Sequence, residues 1–411
     1  MSAPELTEVR APIDLDGLRT YLSKVSNSTP ETQIGYNAQV PRSFQTIKQF
    51  TFGQSNPTYY LEDDQGRSFV LRRKPSANAK LIQRSAHAIE REFFILNAIN
   101  RLNQDAELKI PVPQVHFLCE DEGVIGYVFY LMEYVNGIQL KNPSLPEFSP
   151  EAPERQVIWE SIIQTIAAIH LLDAEQLIKL LPASHFPQFQ NLDELRNTTY
   201  FQRQIKTLGA IHKKQSTHVD KIPNWDKITE FLLQNAPRDP SKLSLIHGDC
   251  KIDNFLFDPK TYKVSAVLDW ELCTIGHPLF DLSNFLQPYG LPQQFNAMLY
   301  KTKPNKLSLS FGMEDPSSQQ FLCKQLQNYN KLVTWDTRDP QNNPLDKWNV
   351  GHVFGLLRLS VISQGIAMRV KMGNASSALA EQYAKMYPYL SQLATDVIDE
   401  QEKQEKHKGK L

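Results

Sequence analysis

No run of apolar residues in the chain approaches the roughly 20 that a membrane-crossing helix needs, so no spanning segment is expected. Charge of one sign is lacking too: 44 Lys and Arg stand against 45 Asp and Glu, a formal net charge of -1. That balance excludes a global pull toward nucleic acid or an anionic membrane, while leaving room for a local basic groove. Cysteine is scarce. Cys119, Cys250, Cys273 and Cys323 lie far apart and form no C-x-x-C pair. This argues against a disulfide framework or a cysteine-built zinc site and for a reducing compartment. The N-terminus, MSAPELTEVRAP, has no apolar signal core, and its Glu5 and Glu8 do not suit a transit peptide. A cytoplasmic protein is expected. Gly409-Lys410-Leu411 is one residue away from the S-K-L peroxisomal address, and its plain reading is the end of a charged, frayed tail.

At 411 residues, of which 41% are hydrophobic and 22% charged, the chain suits one large domain or two lobes. Residues 14–26 read as a short helix opened by Asp14. The following QFTFGQSNPTYYLEDDQGRSFVLRRKP alternates like strands, with residues 63–67 as the turn. In AHAIEREFFILNAINRL, Ile89, Phe93, Leu96 and Ile99 recur at helical spacing. Strand character then returns up to Asn136-Gly137, a turn signal. The first 135 residues are thus a strand-rich unit with one prominent helix. Beyond Gly137, helical patterns dominate at 155–172, 226–235, 317–335, 345–372 and 376–402, and Ser149 or Glu151 is placed to open the first.

The exception is LSLIHGDCKIDNFLFDPKTYKVSAVLDWELCTIGHPLFDL, residues 243–282, where short strands sit among helices. One strand delivers the chain to His247-Gly248-Asp249. Phe255–Phe257 is a second, 258–261 turns it back, and 262–268 returns to Asp269. A hairpin cancels its own travel, so Asp249, Asn254 and Asp269 converge although 20 positions separate the first and last. Oxygen ligands with one further carboxylate suit a hard cation and a proton transfer. H-x-D-x-x-x-x-N, then a hairpin and an Asp, is the phosphoryl-transfer layout of kinase-like enzymes. In it Asp249 accepts the proton of the attacking hydroxyl, while Asn254 and Asp269 hold Mg²⁺. Lys251 is placed to offset charge on the transferring phosphoryl group. His247 reads as a hydrogen-bonded scaffold and not as a base, and Cys250 as a small packed residue.

These residues resemble the aminoglycoside phosphotransferase-like small-molecule kinases. More narrowly, the chain is similar to the kinase domain fused ahead of an acyl-CoA dehydrogenase module in some animal proteins. The resemblance extends through FTFGQSNPTYYL, FVLRRKP, AHAIEREFFIL and LLRLSVISQGIAMRVKMGNASS, most of residues 15–380. It implies an α+β, two-lobed protein-kinase-like fold, with a nucleotide lobe over 1–135, a catalytic and acceptor lobe over 136–400 and a tail over 401–411. No dehydrogenase module follows here, so a free-standing kinase is expected.

The resemblance also assigns the nucleotide contacts. Gly53, Gln54, Ser55 and Asn56 form the phosphate-covering turn, although only one of the three glycines of G-x-G-x-x-G is present. Arg72 stands where protein kinases carry Lys, with Lys74 as the alternative register. Glu92 is its ion-pair partner, with Glu90 second. Adenine lies against backbone atoms near Met132 to Tyr134. Asp269-Trp270-Glu271 replaces D-F-G and there is no A-P-E, so no phosphorylation-controlled activation loop is expected. Asp281 resembles the Asp that hydrogen-bonds the catalytic loop; the bland alternative is a helix cap.

On the acceptor side, Arg358, Gly365 and Arg369 fall within about 20° of one line on a helix. They form either an anion-binding wall or local supports, with Glu271 a further acceptor candidate. Residues 340–390 hold no dense acidic run of the kind a polycationic antibiotic needs. The expectation is ATP- or GTP-dependent, Mg²⁺-assisted phosphorylation of a hydroxyl on a small molecule, a hydroxy acid or hydroxyacyl-CoA, without nucleic acid or membrane. The rival is a catalytically silent nucleotide- or acyl-CoA-binding scaffold.

Overall fold

The computed structural model describes residues 6–408 except 26–29, 42, 52–55, 76–87, 301–310, 337 and 375–378. The C-terminal tripeptide considered as an address lies outside the described residues. The chain divides into two compact units, one of Met1–Gln190, Leu245–Ile275 and Tyr300–Ser310, the other of Asn191–Ser244, Gly276–Leu299 and Phe311–Leu411. This division differs from one at residue 135, because the hairpin that carries Asp269 packs with the N-terminal sheet in a single unit.

In the first unit, β1 (Leu6–Thr7), α1 (Leu15–Leu22), β2 (Phe44–Phe50), β3 (Thr58–Asp63), β4 (Ser68–Arg73), α2 (Ile89–Leu102), β5 (Val115–Cys119) and β6 (Phe129–Glu133) follow in order. The strands make a six-stranded antiparallel sheet in the order β1-β2-β3-β4-β6-β5. Asp14 caps α1, accepting from the amides of Asp16 and Gly17. In the β3–β4 turn Asp63 Oδ1 accepts from the amides of Gln65 and Arg67, and Gly66 takes φ +74°, which an L side chain resists. Strand alternation sends Phe69 and Leu71 into a core with Leu18, Tyr59, Phe117 and Leu131. Val70 and Arg72 point the other way.

The same unit continues with β7 (Ile138–Gln139), α3 (Pro153–Leu171) and α4 (Ala174–Leu180). After β8 (Ser244–Ile246) come β9 (Phe255–Phe257), β10 (Val264–Val267) and β11 (Thr274–Gly276). β9 and β10 form the expected antiparallel hairpin, with β7 on the outer edge of β9. Asp258 Oδ1 shapes its turn by accepting from the amides of Lys260 and Thr261. Neither Ser149 nor Glu151 opens α3. It starts at Pro153, whose fixed φ suits a first helical position, and no side chain caps it.

The second unit is helical: α5 (Leu192–Asn197), α6 (Tyr200–Gln215), α7 (Trp225–Asn235), α8 (Leu279–Gly290), α9 (Gln293–Leu299), α10 (Pro316–Leu332), α11 (Trp348–Lys371), α12 (Ala380–Ala384) and α13 (Tyr387–Lys408). The single helix expected over 376–402 is divided, because the ring of Pro388 would collide with the carbonyl of Ala384 four residues back. α11 corrects the expectation of no long apolar run. Its 24 residues are long and apolar enough by composition to cross a membrane, yet half of that window is buried. It packs on α6, α7, α8, α12 and α13 as the central helix of the unit. Gln364 on it is fully buried, linking His212 Nδ1, Ser216 Oγ and the carbonyl of Asp220 at 3.0, 3.2 and 2.8 Å.

His352, also on α11, stacks on Trp348 and lies so close to Gly290 that a Cβ there would stand 2.7 Å from its ring. Burial pushes its pKa down to about 4. The folded ring therefore stays neutral, while the unfolded one titrates near 6.5. The stability this adds is full above pH 6.5 and is lost as pH falls toward 4. Urea unfolding of wild type and His352→Gln at pH 7 and pH 5 should show the wild type losing about 2 kcal/mol more than the variant.

Candidate active site

Three short pieces of chain build the site. β8 ends at Ile246 and leads into His247, which is fully buried. Its Nδ1 accepts from the Asp249 amide at 3.2 Å and its Nε2 lies 2.9 Å from the Leu268 carbonyl. A carbonyl can only accept and an amide only donate, so the proton sits on Nε2. His247 thereby spans from the loop bearing Asp249 to the strand end before Asp269. Gly248 takes φ +82°, and a Cβ on it would fall 2.2 Å from the Leu272 carbonyl.

A 3-10 turn over Ile252–Asn254 brings the Asn254 side chain back onto the loop. Its Nδ2 donates to the Asp249 carbonyl at 2.8 Å and approaches Asp249 Oδ2 at 3.3 Å, which directs Oδ1 away from the loop. The Leu268 amide donates to the Asn254 carbonyl at 2.8 Å, so Asp269 is one residue beyond a direct link to Asn254. Lys251 Nζ stands 3.0 Å from Asp249 Oδ2 and 3.8 Å from Asp253 Oδ2. Burial alone would lower the Lys251 pKa, but Asp253 and Asp249 outweigh it and hold the ammonium above its usual value. Burial pushes Asp253 up, with Lys251 acting the other way.

From the sheet comes Arg72. Its Nη1 donates to Glu92 Oε1 at 2.8 Å and its Nη2 to Asp269 Oδ1 at 3.1 Å. Glu92 Oε1 also accepts from the Trp270 amide at 3.2 Å. Asp269 adopts a left-handed backbone, φ +68° and ψ +58°, at the end of β10. Glu271 Oε2 accepts from Asn56 Nδ2 at 2.9 Å. Burial, then the carboxylates of Asp269 and Glu92, raise the Glu271 pKa to about 8 against the pull of Arg72. Lys74, the alternative register, pairs with Glu90, and Arg73 stacks its guanidinium 3.8 Å from the Tyr127 ring centroid.

Asn56, Arg72, Glu92, Lys251, Asn254 and Asp269 line a cavity of about 270 Å³. Part of its lining is apolar, with Val70, Leu96, Met132, Leu256 and Val267, and part polar, with Asn56, Arg72, Lys251, Asn254 and Asp269. Met132 and Tyr134 both line it, but the amides of Glu133 and Tyr134 are spent on Gln114 and Ser68. Gly53 and Ser55 lie outside the described residues. Among the described residues, no group of three or more His, Cys, Asp or Glu is arranged to hold a metal ion.

Arg358, Arg369 and Asp281 belong to the second unit. Arg358 lies 5.2 Å from the Phe280 ring centroid and 3.3 Å from Asn284 Oδ1. It is about 16 Å from Arg369 along the helix axis. The space beside Gly365 is taken by Gln215, whose Nε2 would be 2.6 Å from a Cβ there. Asp281 is in the first turn of α8, fully buried, and is not its cap residue, which is Pro278. Sequence reasoning missed Tyr130, cross-strand from Arg72 and therefore on its face of the sheet, and Asp253, whose D-x-x-x-D spacing from Asp249 was visible.

The phosphotransferase enzyme family model matches residues 46–307. Acyl-CoA dehydrogenase family member 10 of Mus musculus is 35% identical over 350 residues, 85% of this chain and 29% of that protein. Family member 11 of Gallus gallus is 31% identical over 391 residues, 95% of this chain and 44% of that protein. The chain thus spans less than half the length of these relatives. A Ralstonia eutropha structure described provisionally as an aminoglycoside phosphotransferase is 29% identical, with a TM-score of 0.67 over 95% of this chain and 99% of that one. Wild-type aminoglycoside 2'-phosphotransferase-IIIa, solved with GDP, has a TM-score of 0.53 at 12% identity over 92% of this chain and 96% of that one, a likeness of fold. Fold and family match together define a protein-kinase-like architecture. The chain belongs to the phosphotransferase enzyme family.

Breaking the buried pair leaves Arg72 charged and without its main partner. Glu92→Ala should cost about 3–5 kcal/mol in thermal or urea unfolding. Lys74→Ala, at the neighbouring pair whose lysine is 28% exposed, should cost less than Glu92→Ala.

Proposed function

We propose that the protein transfers the γ-phosphate of ATP to a hydroxyl of a small acceptor, a hydroxy acid or a hydroxyacyl-CoA. The observation that carries the reading is that Arg72, Lys251, Asn254 and Asp269 line one cavity, with Asp249 joined to Lys251 and Asn254 by its carboxylate. In this reading Asp249 takes the proton of the attacking hydroxyl, aimed by the Asn254 amide. Lys251, held as a cation by its two carboxylate neighbours, faces the charge that develops on the transferring group. Arg72 binds phosphate oxygens through its planar fork while Glu92 fixes its orientation. Adenine lies against the apolar lining, met by carbonyls of residues 132–134 and by Val135, which also lines the cavity.

One amide oxygen and one carboxylate, Asn254 Oδ1 and Asp269 Oδ2, suit Mg²⁺, which takes few protein oxygens and completes its shell with phosphates and water. When bound, the cation neutralises the phosphates. The hydroxyacyl acceptor is supported by the likeness to two proteins named as acyl-CoA dehydrogenase family members. Phosphorylation would turn a poor leaving group into a good one and prepare the acceptor for elimination.

ADP release with Mg-ATP over a panel of hydroxy acids and hydroxyacyl-CoAs tests the acceptor. Turnover confined to amine-bearing sugars would refute it. Asp249→Asn should lower kcat by on the order of 100- to 10,000-fold with nucleotide binding, read by calorimetry, retained. Undiminished turnover would remove Asp249 from the chemistry.

A further inference from the structure

We infer that Asn56 and Glu271 form a positioning latch that holds Asp269 in place, so that neither side chain serves primarily as a contact to phosphate or acceptor. Asn56 is completely buried. Its Nδ2 is spent on Glu271 Oε2 at 2.9 Å, and its carbonyl accepts from Thr58 Oγ1 at 2.9 Å, which anchors it at the start of β3. Its Oδ1 is buried and has no partner among the described residues. At the wall of the cavity this side chain thus directs its donor to another side chain of the protein, Glu271.

The latch is the third of three consecutive anchors. Asp269 is tied to Arg72 on β4, the Trp270 amide to Glu92 on α2, and Glu271 to Asn56 ahead of β3. Each anchor uses a different element of the nucleotide-binding sheet and helix. They converge on a residue whose left-handed backbone, φ +68°, is unfavourable for a side-chain-bearing residue and persists only where its surroundings over-determine it. Releasing Glu271 frees the turn over Trp270–Leu272, which begins at Asp269 itself. The carboxylate would then be delivered in a range of orientations.

The inference rests on the kinase reading for its kinetics alone. Its primary readout is hydrogen exchange at the Trp270 and Glu271 amides in nucleotide-free, full-length protein. Glu271→Ala should speed exchange and lower kcat about tenfold, the worth of one hydrogen bond, with a smaller change in the KM for ATP. Glu271→Gln, which keeps an acceptor oxygen for Asn56, should recover most of both losses. Asn56→Ala should match Glu271→Ala, and the double variant should be no worse than either single one. If the buried Asn56 position does not tolerate alanine, the Glu271→Ala and Glu271→Gln pair decides alone. Exchange that is equally slow in all variants would overturn the latch, as would Glu271→Gln behaving like Glu271→Ala. Loss of ADP affinity in Asn56→Ala but not in Glu271→Ala would overturn it by assigning Asn56 to the phosphates. A wild type with no turnover on any acceptor would sink the kinase reading, while the exchange comparison would still decide the latch.

Discussion

One guanidinium joins the separate pieces of this site. Arg72 is 8% exposed and reaches a carboxylate on α2 with one nitrogen and a carboxylate from the β9–β10 hairpin with another. A cation taken this far out of water is tolerated only with close partners. The sheet must place Arg72, the helix must present Glu92, and the hairpin must return to Asp269, or the charge is stranded. Burial by itself would make Arg72 easier to deprotonate, yet Glu92 holds it firmly protonated. Arg72, Glu92 and Asp269 are therefore positioned by one another.

The hairpin was legible because its signals are local. Short apolar runs around D-P-K-T fixed the turn, and a turn of that kind dictates where the flanking residues go, whatever else the chain does. Arg72 and Glu92 were legible only through likeness to other kinases, since nothing nearby distinguishes Arg72 from Arg73 or Lys74. Strand parity removes Arg73 at once. It takes the coordinates to separate Arg72 from Lys74, two residues apart on the same face.

Other features had no sequence signal that a local reading could use. Asn56 and Glu271 meet across 215 positions, and neither stands in a pattern that implies the other. Tyr130 is one of many aromatics in a buried strand until the register sets it opposite Arg72. By contrast, α6 was legible and went unread: Thr199 and Gln202 form a capping box, and Phe201, Ile205, Leu208 and His212 recur along one face. Long apolar content misleads in the other direction at α11, where a core helix and a membrane helix share the same composition.

Gly248 carries a consequence for control of the enzyme. In protein kinases the residue between the His and the Asp of this loop is an arginine, H-R-D, and activation segments are ordered by arginine–phosphate pairing. Here the main chain at residue 248 is left-handed and the Leu272 carbonyl occupies the volume of any first side-chain atom. No arginine fits there without rebuilding both loops. An arginine that would pair with a phosphate from position 248 itself is closed to this scaffold by sterics.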